Sequence, residues 1–121
     1  GDNGSVNSSG DDFIMYCFHS VDDVSAFGTY TSGDSGNRTV TLGWEPRFVM
    51  VKKTNGAGSW HMFDTFRGVS ARYLLANSPA AEVTTATNRD ITINSTGFVA
   101  GTDGNVGGTT TGDTFIYMAF A

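Results

Sequence analysis

Gly10-Asp11-Asp12-Phe13-Ile14-Met15-Tyr16-Cys17-Phe18, near the start of the chain, aligns without a gap to Gly112-Asp113-Thr114-Phe115-Ile116-Tyr117-Met118-Ala119-Phe120 at its end, with five of nine positions identical. Each copy is an aromatic-rich apolar run, too short for a stable helix, that follows a Gly-Asp turn signal. Such runs read as buried strands. The expectation is a chain that opens and closes on similar central strands.

Working outward, the residues between the two copies keep the same character. Ala26 to Tyr30 and Arg38 to Leu42 alternate as strands with one wet face, with Val40 and Leu42 inward and Thr39 and Thr41 outward. Arg47 to Lys53 and Ser59 to Phe66 form a hairpin around the Asn55-Gly56 turn signal. Trp60, Met62 and Phe66 are expected on its apolar face. Arg72 to Ala76 reads as a short strand or a turn of helix, and Ser78-Pro79 as the start of a helical turn with Ser78 capping it. Asp90 to Asn94, with Ile91 and Ile93 inward, turns through Ser95-Thr96-Gly97 into Phe98-Val99-Ala100 as a second hairpin. Strands of this length at spacings of about 10 residues predict an all-β chain: a jelly-roll-like or concanavalin-like antiparallel β-sandwich of eight or nine strands.

Composition agrees with this reading. The 121 residues include 16 Gly, 9 Phe and only 2 Pro, which suits short strands and tight turns in one domain. Residues 13–121 are read as that domain and residues 1–12, almost wholly Gly, Ser, Asn and Asp, as a polar arm or linker. The chain opens at Gly1 without a Met, which reads as a processed product or an excised piece of a longer protein. A net charge of -5, with no basic cluster beyond Lys52-Lys53, argues against a nucleic-acid partner. No apolar stretch reaches the roughly 20 residues of a membrane helix, so membrane insertion is not expected. The single cysteine, Cys17, has no partner for an internal disulfide.

Three of the runs, Phe13 to Phe18, Phe48 to Val51 and Phe115 to Phe120, are apolar on both sides of the pleat. Leaving several large apolar side chains in water costs about 1.5–3 kcal/mol each. A cover is therefore expected over the second face, either a loop or helix of the same chain or a neighbouring subunit.

Residues that could carry chemistry are few. His19 with Asp22 and Asp23, or His61 with Asp64, has the composition of a proton-handling pair, but no nucleophile or glycine-rich elbow accompanies either. Catalysis and a metal site are not expected, and no cofactor is implied; loop oxygens around Asp34 to Asn37 and Asp103 to Asn105 would suit calcium but read first as turn formers. Trp44 and Trp60 are candidates for stacking against a sugar ring, Trp44 as the more exposed and Trp60 more as core. Arg67 and Arg72 flank Gly68 and could hold an anion or form ion pairs, and His61 completes the set of candidate ligand-binding residues. Asn-x-Ser/Thr sites at Asn3, Asn7, Asn37 and Asn94 are what chance gives in so Asn- and Thr-rich a chain.

The run Tyr16-Cys17-Phe18-His19-Ser20-Val21, followed by Ala26-Phe27-Gly28-Thr29-Tyr30, resembles the opening of a domain that recurs in structural proteins of tailed phages, especially aquatic ones. Similar wording continues through Gly43-Trp44-Glu45-Pro46-Arg47-Phe48-Val49-Met50-Val51-Lys52-Lys53, Trp60-His61-Met62-Phe63-Asp64-Thr65, Leu74-Leu75-Ala76-Asn77-Ser78, Ala80-Ala81-Glu82 and the closing Tyr117-Met118-Ala119-Phe120-Ala121. Phe18 stands where a Trp is more usual in those domains. The resemblance implies a virion component, such as a fibre, spike or decoration domain, and supplies no catalytic residues. On this basis the chain is expected to be a non-enzymatic module that self-associates, meets other virion proteins and displays an attachment surface. The alternative is a monomeric carbohydrate-binding module with Trp44 as its platform and a host-surface glycan as ligand.

Overall fold

A computed structural model of the chain describes residues 8–34, 36–68, 72–84 and 88–121. Among the described residues eight strands form: β1 (Ser25–Thr31), β2 (Thr39–Thr41), β3 (Phe48–Lys53), β4 (His61–Asp64), β5 (Leu74–Leu75), β6 (Ile91–Asn94), β7 (Gly97–Ala100) and β8 (Thr114–Phe120). They make two antiparallel sheets, ordered β1-β8-β3-β4-β5 and β2-β7-β6. The chain is an all-β sandwich with no helix among the described residues.

The core lies between the sheets. Alternation turns Tyr30, Val49, Val51, Phe63, Phe115 and Ala119 of the larger sheet toward Val40, Ile91, Phe98 and Ala100 of the smaller one, all of them buried. The Tyr30 ring stacks on Phe115 at 5.1 Å and meets Phe98 edge-on at 6.0 Å, and Phe98 meets Tyr117 edge-on at 5.5 Å. The two pairs with Phe98 span the two layers. The Tyr30 hydroxyl donates to the Val106 carbonyl, which fixes the loop after β7 and seats Val106 in the core. Arg38 is also buried: its Nε donates to the Gly33 carbonyl at 3.1 Å and its Nη1 to the Ala100 carbonyl, tying the loop before β2 to the end of β7.

Both expected hairpins form, β3 with β4 and β6 with β7. The closing strand is central as expected, since β8 lies between β1 and β3. Its counterpart is different. Residues 11–20 carry no strand and are exposed, with Ile14, Met15 and Tyr16 at 84, 82 and 79 %. The expected opening strand, Phe13 to Phe18, is therefore absent, because the ladder that would hold it stops at Val21. Residues 8–12 of the expected arm carry no strand either, and residues 1–7 lie outside the described residues.

Two local expectations fail as well. The face of β4 is the reverse of the one predicted: His61 and Phe63 point inward, Met62 points outward and Phe66, in the turn beyond, is 99 % exposed. The helical turn at Ser78 does not form. Ser78 Oγ does accept the Ala80 N–H at 3.2 Å, but the chain then runs on to Val83, which exchanges backbone bonds of 3.2 and 3.0 Å with Tyr73. Pairing with a neighbouring strand outcompetes the weak local cap.

Candidate interaction surface

The register of the five-stranded sheet defines its outer face. Phe27 lies opposite Met118, Met118 opposite Met50, Met50 opposite Met62, and Met62 opposite Leu74. These five residues form one apolar row that crosses every strand of the sheet. In a second row Phe120 sits opposite Phe48, which in turn faces Asp64; in a third, Ile116 sits opposite Lys52. All of these residues are partly exposed. Methionine is unbranched and polarizable, and a row containing three of them can repack against more than one contour.

One end of the face is partly roofed. Phe18 stacks on Phe27 at 5.8 Å and meets Phe120 edge-on at 6.5 Å, while Phe120 contacts Phe27 at 5.7 Å and Phe48 at 6.1 Å. The remaining large side chains of that segment reach into solvent, so among the described residues the expected cover is supplied only at the β1–β8 corner.

The candidate ligand-binding residues do not converge. His61 is 2 % exposed, packs against Tyr73 at 5.0 Å and Phe63 at 6.5 Å, and donates from Nδ1 to the Ser59 carbonyl at 3.1 Å. Burial pushes its pKa below the ordinary value of 6.5. Asp64 lies on the opposite face of the same strand, so alternation separates the proposed proton-handling pair. His19 is exposed, with its Nδ1 2.9 Å from the neighbouring Ser20 carbonyl. Trp44, in the turn after β2, is half-buried against the core, whereas Trp60 is half-buried just before β4. The backbone of Trp60 is held by Asn77 Oδ1 at 3.0 Å and the Ala76 N–H at 3.0 Å.

Arg67 and Arg72 do come together, around Glu82. Arg67 pairs with Asp64 and lies 3.6 Å from Glu82, and Arg72 lies 3.4 Å from the same carboxylate. Two cations and two carboxylates balance, which is an ion-pair cluster and not an anion receptor. The calcium-like loops are engaged too. Asp34 Oδ1 accepts the Asn37 N–H at 3.0 Å as a turn former. The Asp103 oxygens accept from Arg89 at 2.9 and 3.0 Å and from the Asn105 N–H at 2.8 Å. Burial works against the Asp103 carboxylate, but Arg89 and the Asn105 bonds outweigh it and hold its pKa down to about 2. Arg89, just before β6, also donates to the Tyr73 hydroxyl at 3.1 Å and so bridges Asp103 in the loop after β7 to the β5 edge, a link that no sequence spacing signals. Among the described residues no group of three or more His, Cys, Asp or Glu is placed to hold a metal ion, and no helix is long and apolar enough to cross a membrane.

A family model described as a domain of unknown function, DUF7483, matches residues 1–121. The chain belongs to the DUF7483 family. No curated protein and no solved structure matches it. On the outer sheet face of this DUF7483 domain, the apolar row from Phe27 to Leu74 is partly exposed.

Proposed function

We propose that the domain is a non-enzymatic structural and attachment module of a tailed-phage particle, a fibre, spike or decoration unit that self-associates through the outer face of its five-stranded sheet. The observation that carries the reading is the row Phe27-Met118-Met50-Met62-Leu74, an apolar stripe across a whole sheet of which the described residues cover only a corner. A surface of this kind favours association over solvation. The groups best suited to proton chemistry are engaged in other tasks: His61 is packed in the core, Asp103 is bound to Arg89, and Asp64 and Glu82 neutralise arginines. The phage setting rests on the sequence motifs that resemble virion domains.

Sedimentation at micromolar concentration tests the reading. The expected result is an oligomer for the wild-type chain and a folded species of lower mass for Met50→Lys, which places a charge in the centre of the row. A wild-type chain that sediments as a folded monomer refutes self-association. Immunogold labelling of assembled particles with an antibody to the domain tests the particle setting, and particles without label refute it.

A further inference from the structure

The chain leaves the sheet at a defined place. The turn at Asp22 to Val24, with Asp23 at φ 59, lets Val21 and Ser25 exchange backbone bonds of 2.9 Å each. Continued in that register, the hairpin would lay His19 opposite Phe27, Phe18 opposite Gly28 and Cys17 opposite Thr29. It stops instead. The Ser20 hydroxyl oxygen accepts the Phe27 N–H at 3.1 Å, and the Ser25 hydroxyl donates to the His19 carbonyl at 3.2 Å, so two serine side chains occupy the positions of the next ladder bonds.

Side-chain parity opposes closure on the chain's own β1. Extension of the hairpin would turn Phe18 to the inner face against Gly28, where the Tyr117 hydroxyl already lies 2.8 Å from the position of an added Cβ. In the structure Phe18 sits on the outer face, on Phe27 and Phe120. That is the parity of the echoed strand, in which Phe120 points outward and Ala119, the counterpart of Cys17, points inward. A shift of one residue would turn every side chain to the wrong face. Meanwhile β1 bonds β8 through its even-numbered residues, as the flanking bonds from Ser32 N to Asp113 O and from Ala121 N to Val24 O show. The backbone groups of Thr29 and Thr31 face an edge with no neighbouring strand among the described residues.

We propose that residues Phe13 to Cys17 of one copy add as an antiparallel strand to the open β1 edge of a second copy, along Gly28 to Ser32 with Tyr16 opposite Thr29, in a reciprocal exchange with Phe18 anchored on its own Phe27. This rests on the self-association proposed above and names both the occupant and the edge it takes. Ile14 and Tyr16 then join the outer face of the recipient sheet, and Phe13, Met15 and Cys17 turn inward. The area suffices. Phe13, Ile14, Met15 and Tyr16 are 47, 84, 82 and 79 % exposed, and at about 200 Å² per large side chain they carry roughly 600 Å². Two arms supply about 1,200 Å² before the recipient surface is counted, within the range of specific stable interfaces.

The test combines mass with cross-linking on the full chain. The double variant Ile14→Asp/Tyr16→Asp alters only exposed side chains, and the expected result is a twofold drop from the wild-type mass with the thermal transition retained. In a Cys17→Ala background, Tyr16→Cys/Thr29→Cys is expected to form a covalent dimer on oxidation. Thr29→Cys with the native Cys17 is expected to form no link within one chain, whereas closure on the same β1 would create one. A link within the chain, or no dimer from the Tyr16→Cys/Thr29→Cys pair, overturns the exchange. Should the arm variant stay oligomeric while Met50→Lys becomes monomeric, the exchange falls and the sheet-face reading stands. A monomeric wild type removes both.

Discussion

His61 and Asp103 carry the pH dependence of this fold, and they act over different ranges. The folded state resists protonating His61, because burial in the Phe63–Tyr73 cluster lowers its pKa while the unfolded chain protonates near 6.5. The unfolded state therefore binds more protons below that pH, and stability present above it is lost as the pH falls toward the folded pKa. Equilibrium denaturation from pH 7 to pH 5 is expected to show this loss in the wild type and a flatter profile in His61→Phe. Asp103 acts further down. Its folded pKa of about 2 lies below the ordinary 3.8, so its contribution is complete above the ordinary value and disappears as the pH falls through about 2. Because the Arg89–Asp103 pair is partly exposed, Asp103→Asn is expected to cost about 1 kcal/mol or less at neutral pH. Thermal melts of that variant should lose the acid limb between about pH 4 and about pH 2.

At the level of elements, the two copies of Gly-Asp-x-Phe-Ile-x-x-x-Phe show how far a strand depends on its neighbours. The copy at Gly112 to Phe120 lies between β1 and β3 with ladder partners on both sides. The copy at Gly10 to Phe18 meets a ladder already closed off by Ser20 and Ser25, and only Phe18 finds a seat. A different constraint governs the β6–β7 hairpin. Gly97 has φ 150, and a Cβ there would collide with the Val40 carbonyl oxygen of the adjoining β2. Gly97→Ala is expected to cost about 2–4 kcal/mol, read as a lower denaturation midpoint at unchanged m-value. Substitution at Gly10, which has open space around it, would not meet such a collision.

For the whole molecule, the outer face sets behaviour in solution. The row from Phe27 to Leu74 contains no charged residue, so the association it drives should persist or tighten as sodium sulfate is added. Dissociation with rising salt, followed by sedimentation, would point instead to ion pairs at the interface. The all-β class, the two hairpins, the central closing strand and the two-sided apolar character of β3 and β8 were all legible in the sequence, because they depend on alternation, turn residues and runs of apolar side chains that each segment carries within itself. The candidate site was legible only in part: apolar excess at Phe48, Met50, Ile116 and Met118 announced a second apolar face, but not that Met118, Met50 and Met62 fall in register. Register, the inward turn of His61, the grouping of Arg67, Arg72 and Glu82 and the Arg89–Asp103 bond were decided by the tertiary structure. Each depends on which elements meet in three dimensions, and no local propensity encodes which strand lies beside which. The fate of Gly10 to Phe18 is the clearest instance, since a motif shared at five of nine positions makes a strand between two neighbours at one end of the chain and none at the other, where Ser20 and Ser25 close the ladder.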